Sequence, residues 1–232
     1  MKVKLLRYTA DAELLCGAAA LTSTKSGSPS KIFEKMDSET AKNIIKRVTG
    51  YGHVSVIEHA SFTFSIEGVS RAMTHQFVRH RIASYTQQSQ RFVTYDTLEK
   101  YVTPKSIAEN LNAKKIFDET LEKISETYQK LLTVGIPKED ARFILPNAAK
   151  TNIIVTMNAR ELRHFFNLRC CTRSQWEIRE VATEMLKQAK EAAPALFENA
   201  GPSCVELGYC PEGRMKPPEC NVEEIKKRFR NM

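Results

Sequence analysis

The chain has 232 residues, enough to bury one good core in a single domain or two small ones. Hydrophobic residues make up 42% and charged residues 27%, which excludes a disordered or fibrous chain, and no apolar run approaches the roughly 18 residues of a membrane-spanning helix. The net charge of +8 points to anionic partners, with nucleotides, phosphorylated cofactors and nucleic acid all open on charge alone.

The opening Met1-Lys2-Val3-Lys4-Leu5-Leu6 is too short for a signal peptide and lacks a small-residue cleavage site, so a cytoplasmic protein is the expectation. Lys2 to Tyr8 reads as a strand and Asp11 to Leu21 as a helix. Thr22 to Ser30 is rich in Ser, Thr, Gly and Lys and reads as a loop. Ser38 to Thr49 is helical, capped by Asp37 or Ser38. Within His53-x-Ser55-x-x-Glu58-His59, Ser55 and Glu58 have the spacing of a capping box around one helical turn, a reading preferred to a metal site. Ala60 to Ile66 alternates Phe62, Phe64 and Ile66 and reads as a half-buried strand.

Val69 to Arg81 reads as a helix that places Gln76, Arg79 and His80 on one face. Beyond Ser84 the helical period fades, and an extended chain would put Gln87, Ser89 and Arg91 on one side. Lys114 to Val134 is the longest helical period, with Ile116, Phe117, Leu121, Ile124, Tyr128, Leu131 and Leu132 as its stripe and Gly135 as its stop. Pro137 to Phe143 is a short helix, in which Arg142 could pair with Glu139 or Asp140. Thr151 to Met157 is a β-branched strand. Asn158 to Cys170 is helical, with Asn158 as N-cap and Glu161 at N3. Leu162, Phe165 and Arg169 share its apolar face, so Arg169 needs a partner or is badly desolvated. Arg160, His164 and Asn167 form a polar stripe on the same helix. Ser174-x-x-Glu177 is a capping box opening a last helix, broken at Pro194. Residues 201–232 form an irregular tail. The whole reads as one α+β catalytic domain, 1–232, with a mixed, largely antiparallel sheet flanked by helices.

Six cysteines form no CxxC pair; a disulfide framework does not suit a chain read as having no secretory signal, and the spacing of Cys204, Cys210 and Cys220 fits no zinc finger. There is no GxGxxG and no P-loop. Phosphates would be held by side chains rather than by a glycine-rich backbone.

The most informative stretch is Arg79-His80-Arg81-Ile82-Ala83-Ser84-Tyr85-Thr86-Gln87-Gln88-Ser89-Gln90-Arg91. It contains three arginines, a histidine, two serines and three glutamines, and no Lys, Asp or Glu. Planar Arg and Gln groups at short spacing suit bidentate hydrogen bonds to phosphates and heteroaromatic edges. A nucleic-acid module would spread Lys and Arg along one face with interleaved aromatics, whereas here Lys is scattered and Arg is concentrated in three motifs. A metallohydrolase would draw on His53, Glu58, His59 and His80, but no HExxH or paired-carboxylate motif accompanies them.

The pattern R-H-R-x-x-S-x-x-x-x-S-x-R is matched at every fixed position and resembles the signature of the flavin-dependent thymidylate synthases. His53–His59, Ala141-Arg142-x-x-Leu145-Pro146, Asn158-Ala159-Arg160, Asn167-Leu168-Arg169 and Gln175-Trp176-Glu177 resemble further motifs of that family in matching order. The resemblance implies methylation of dUMP to dTMP with FAD, methylenetetrahydrofolate as one-carbon donor and NADPH as reductant. It also implies a homotetramer with active sites shared between subunits. No covalent enzyme nucleophile, metal, nucleic acid or membrane is implied. Carried over by position, Ser55, Glu58, Arg79, His80, Arg81, Ile82, Gln87, Asn158, Arg160 and His164 would contact flavin. Gln76, Arg79, Gln87, Ser89, Gln90, Arg91, Arg142 and Arg169 would contact dUMP, with Arg169 favouring loss of the uracil N3 proton. Two departures stand out: Thr86-Gln87 where many members carry Asn-Glu, and Phe92 where many carry Tyr.

Overall fold

The computed structural model describes residues 1–95 and 97–232, with Leu98 described by its backbone alone. The elements in chain order are β1 (Lys2–Tyr8), α1 (Ala12–Thr22), α2 (Pro29–Glu34), α3 (Ser38–Gly50), a 3-10 segment (Val54–His59), β2 (Ser61–Ser70), α4 (Arg71–Phe77) and β3 (Ala83–Gln87). There follow α5 (Lys105–Ala108), α6 (Leu111–Thr133), α7 (Lys138–Ala141), β4 (Lys150–Asn158), α8 (Ala159–Arg169), α9 (Trp176–Ala192), α10 (Pro194–Phe197), α11 (Ser203–Leu207) and α12 (Val222–Arg230). The strands make a four-stranded antiparallel sheet in the order β1-β2-β4-β3, flanked by helices, so the α+β expectation holds. The outer edge of β1 is covered by a side chain. Gln188 accepts from Leu5 N at 2.6 Å and donates to Val3 O at 3.0 Å, which occupies groups that would otherwise offer a pairing edge.

The packing divides the chain into two compact units. The first holds residues 1–2, 66–79 and 86–153; the second holds residues 3–65, 80–85 and 154–232. The core of the first is Tyr95, Tyr101, Leu121, Tyr128, Ala141 and Ala149, with Phe117, Leu131 and Leu132 against it. Helix α6 is capped by Asn110, whose side chain accepts from Ala113 N, and is followed by Gly135 in the left-handed region at φ +91°. Its buried stripe is Leu121, Ser125 and Tyr128, continued by half-buried Phe117. Ile116, expected in that stripe, is 67% exposed, because one residue is a 100° step around the helix and the stripe runs at i, i+4 from Phe117.

In the second unit α1 packs on α3. A Cβ added at Gly17 would stand 2.9 Å from Ala41 Cα, a fully buried residue. Gly17→Ala gains at most about 1 kcal/mol of helix propensity. Driving two helix backbones apart costs about 1–3 kcal/mol. A net loss in chemical-denaturation stability is the expected result, and a stabilised variant would show that the contact yields freely.

Several sequence expectations are corrected. The helix read from Val69 to Arg81 is only α4: Val69 and Ser70 finish β2, Ser70 caps the helix at Met73 N, and the last helical bond is Val78 N to Thr74 O. Arg79 turns back on Gln76 O, so Arg79 and His80 do not share the helix face of Gln76. The extended reading of Gln87, Ser89 and Arg91 fails after Gln87. Both Phe92 N and Val93 N return to Ser89 O, and Ser89 Oγ takes Arg91 N at 3.2 Å, so a tight turn replaces the strand. The Ser55 capping box is absent: Val54–His59 is a 3-10 segment, too tightly wound for the box, preceded by His53 without a side-chain cap. Gln175, not Ser174, caps α9, since Ser174 Oγ is spent on Leu168 O. The loop read over Thr22 to Ser30 holds from Ser23 through Ser28, and α2 begins at Pro29 within its last two residues. The tail contains α11 and α12, the latter capped by Asn221, with Phe229 buried.

Candidate functional site

The expected ligand residues separate between the two units. Gln76, Arg79, Gln87, Ser89, Gln90, Arg91 and Arg142 lie in the first; Ser55, Glu58, His80, Arg81, Ile82, Asn158, Arg160, His164 and Arg169 lie in the second. The division falls inside the Arg79-His80-Arg81 motif.

In the first unit Gln87, at the end of β3, is held by its amide: Nε2 donates to Thr74 Oγ1 at 3.0 Å and to Thr151 Oγ1 at 3.3 Å. Two hydroxyls therefore take up the Gln87 amide. Arg91 pairs with the Glu139 carboxylate at 2.7 Å, and Arg142 Nε donates to Glu139 O at 3.0 Å. Glu139 thus gathers two of the expected substrate arginines, and Arg142 takes its backbone oxygen rather than the carboxylate anticipated. The Arg91 pair is about half exposed on each side and contributes little stability. Arg71 belongs with this group and was not anticipated. Its Nη2 donates to Gln88 O at 3.4 Å, its buried Nε has no hydrogen-bond partner, and its pKa is lowered by burial, with Arg142 adding to the effect. A second guanidinium with an uncommitted buried donor suits an anion. An Arg directly after the β2 alternation was the available signal.

In the second unit Ser55 lines a cavity of about 470 Å³ together with Arg47, His53, His59, Ser23 and Thr24. Glu58 pairs with Arg160 at 2.5 Å. Asn158 caps α8, its side-chain oxygen taking Glu161 N at 2.8 Å. Arg79, Arg81 and Ile82 are exposed, as are Arg160 and His164.

The centre of this unit is His80. It is 4% exposed, with its ring edge-on to Phe165 at 4.9 Å and to His164 at 5.8 Å. Arg169 Nε donates to His80 Nε2 at 3.0 Å. Arg169 thus meets the expectation that an arginine on the apolar face needs a partner, and an imidazole is one. Burial, reinforced by the charges of Arg169 and His164, pushes the His80 pKa down to about 4. The ring is therefore neutral at physiological pH. Burial also lowers the Arg169 pKa, yet a guanidinium stays charged.

Cys16 and Cys170 have pKa values pushed up to about 12 by burial, so neither supplies a thiolate near neutrality. Among the described residues no three His, Cys, Asp or Glu side chains are arranged to hold a metal ion. No helix among them is long and apolar enough to cross a membrane.

The family model described as "Thymidylate synthase complementing protein" matches residues 4–195. A flavin-dependent thymidylate synthase from Geobacter sulfurreducens is 48% identical over 234 residues, covering 100% of this chain and 99% of that one. One from Pyrococcus horikoshii is 48% identical over 239 residues, covering 100% of this chain and 98% of its own. Among solved structures, flavin-dependent thymidylate synthase ThyX from Helicobacter pylori, complexed with FAD and dUMP, superposes with a TM-score of 0.70 at 25% identity, covering 87% of this chain and 100% of that one. With matches of this extent the chain belongs to the flavin-dependent thymidylate synthase family.

Proposed function

We propose that this chain is an FAD-dependent thymidylate synthase that converts dUMP to dTMP, with methylenetetrahydrofolate as one-carbon donor and NADPH as reductant. The observation that carries the reading is Arg169 held through Nε by a buried, neutral His80. The guanidinium keeps its charge and gains a fixed direction, as a group that stabilises an ionising pyrimidine must.

Carbon 5 of uracil is a weak nucleophile. Arg169 against the ring would stabilise the charge left by loss of the N3 proton and so enrich the ring for attack. Gln76, Arg79, Gln87, Ser89, Gln90, Arg91 and Arg142 would fix phosphate and sugar; the arginines gathered by Glu139 support that assignment. Ser89 Oγ shapes the turn at Arg91 N, in keeping with a positioning role rather than a nucleophilic one.

The second unit suits a flavin. A cavity of about 470 Å³ edged by Arg47, His53, Ser55 and His59 offers cationic and hydroxyl groups to an anionic, partly planar cofactor. Ser55, Glu58, His80, Arg81, Ile82, Asn158, Arg160 and His164, all in this unit, would hold it. FAD, when bound, supplies the redox chemistry that no side chain here provides. We place the protein in the cytoplasm as a homotetramer with shared sites, and without nucleic-acid or membrane partners.

Flavin titration tests the reading. The protein should turn yellow and quench flavin fluorescence, and should form dTMP. Arg160→Ala removes a charge-assisted contact worth about 1.5–3 kcal/mol to flavin. The Arg160–Glu58 pair is roughly half exposed and contributes only about 0–1 kcal/mol to folding. Flavin affinity should therefore fall about tenfold or more while the melting temperature barely moves. A protein that stays colourless would remove the proposal.

A further inference from the structure

Arg169 is held by a histidine, and an acid faces the other side of that histidine. Arg169 Nε meets His80 Nε2 at 3.0 Å, and His80 Nδ1 lies 3.5 Å from Glu161 Oε1. All three belong to the second unit. Glu161 stands in the first turn of α8 and Arg169 in its last, while His80 comes from the segment after α4. His80 and Glu161 are 4% and 6% exposed. The imidazole is walled by Phe165 and His164, and the His80 carbonyl accepts from Tyr85 Oη at 2.9 Å. The segment is thus held through backbone and ring together.

The geometry sets the tautomer. Nε2 accepts a hydrogen bond, so it carries no proton, and the single proton of a neutral ring sits on Nδ1. Nδ1–H then faces a buried carboxyl. Four titratable or charged groups surround the ring: Arg169, His164, Glu161 and Tyr85. Burial pushes the Glu161 carboxyl up, with His164 pulling against it, and burial pushes the Tyr85 phenol up. Protonating His80 would remove the acceptor for Arg169 and add a second cation beside it. That event is held well below neutrality.

We infer that Glu161 is a positioning residue: acting on Nδ1 of His80, it orders the ring whose Nε2 aims the Arg169 guanidinium, while the neutral ring leaves that charge uncancelled. A carboxylate set directly against Arg169 would hold it as firmly and oppose its field on the pyrimidine. The interposed imidazole transmits direction without the opposing charge, as an outer acid orients a working histidine elsewhere. The inference rests on the reading of Arg169 as the group that acts on the pyrimidine.

The test uses the FAD-loaded full chain labelled with 15N, the His80 signals being assigned by difference with His80→Gln. At neutral pH His80 should show a protonated Nδ1 and a bare Nε2. Glu161→Ala should let the tautomers mix and slow single-turnover methyl transfer on the order of 10- to 100-fold, within the cost of misplacing a catalytic group by about 1 Å. The loss should appear in kcat, with dUMP KM and FAD affinity near wild type. Glu161→Gln, whose amide oxygen can keep the carboxyl's place 3.5 Å from Nδ1, should recover most of the rate. A Glu161→Ala enzyme running at the wild-type rate overturns the inference, as does equal loss in both variants. If Glu161→Ala does not fold, the wild-type spectrum and Glu161→Gln decide: a proton on Nε2, or a Gln variant that folds and loses the rate, overturns it. A wild-type protein that makes no dTMP would strike at the proposed function, whereas the tautomer still reports on the contact.

Discussion

Arg169→Ala is expected to keep its flavin and its reduction by NADPH, yet to lose dTMP formation by on the order of 10²–10³-fold, the scale of removing one preorganised electrostatic group. Arg169 sits half-buried at the end of α8, and its Nε bond to His80 fixes one edge of the guanidinium. Its removal also strands a buried imidazole acceptor, at a cost of about 1–3 kcal/mol of stability. The rate must therefore be measured on protein shown to be folded and flavin-loaded. Arg169→Lys keeps the charge, but an ammonium lacks the planar fork and the Nε donor, so partial rescue at best is expected. The decisive assay is single-turnover methyl transfer from pre-reduced enzyme at saturating dUMP. A wild-type rate for Arg169→Ala would leave this arginine a structural partner of His80 and nothing more.

The largest loss of stability is expected from Phe165→Ala. Phe165 is fully buried, edge-on to His80 at 4.9 Å and tilted against Phe166 at 5.7 Å. Removing a buried ring costs about 3–5 kcal/mol, the spread depending on how far the site collapses. That is a large part of the roughly 5–15 kcal/mol by which a domain is stable. Phe165→Leu fills much of the volume and should cost far less. Urea denaturation of the two variants compares them directly. Phe165→Ala also removes a wall of the His80 ring, so its surviving folded fraction should turn over more slowly than Phe165→Leu. A loss below about 1 kcal/mol for the Ala variant would mean that the ring is not part of a tight core.

Much of this was legible in the chain because local chemistry is periodic. Phe62, Phe64 and Ile66 alternate and are all fully buried; Asp37 and Asn158 cap the helices assigned to them; Gly135 follows α6 with positive φ. These depend on residues within a few positions of one another, where spacing alone sets geometry. The signature motif was legible for the same reason, as residue types in fixed order. Its shape was not. Arg79 and His80 look like neighbours on a helix, yet α4 stops at Phe77 and the two go to different units. That outcome turns on burying His80 against Phe165, 85 positions away, a contact no local pattern encodes. Glu161 reads in the sequence as an ordinary N3 acid, and only the arrival of His80 gives it a buried partner. Arg169 could be recognised as an arginine on an apolar face in need of a partner. That the partner is a neutral imidazole was decided by tertiary packing, because burial among Arg169, His164 and Phe165 is what keeps the His80 ring uncharged.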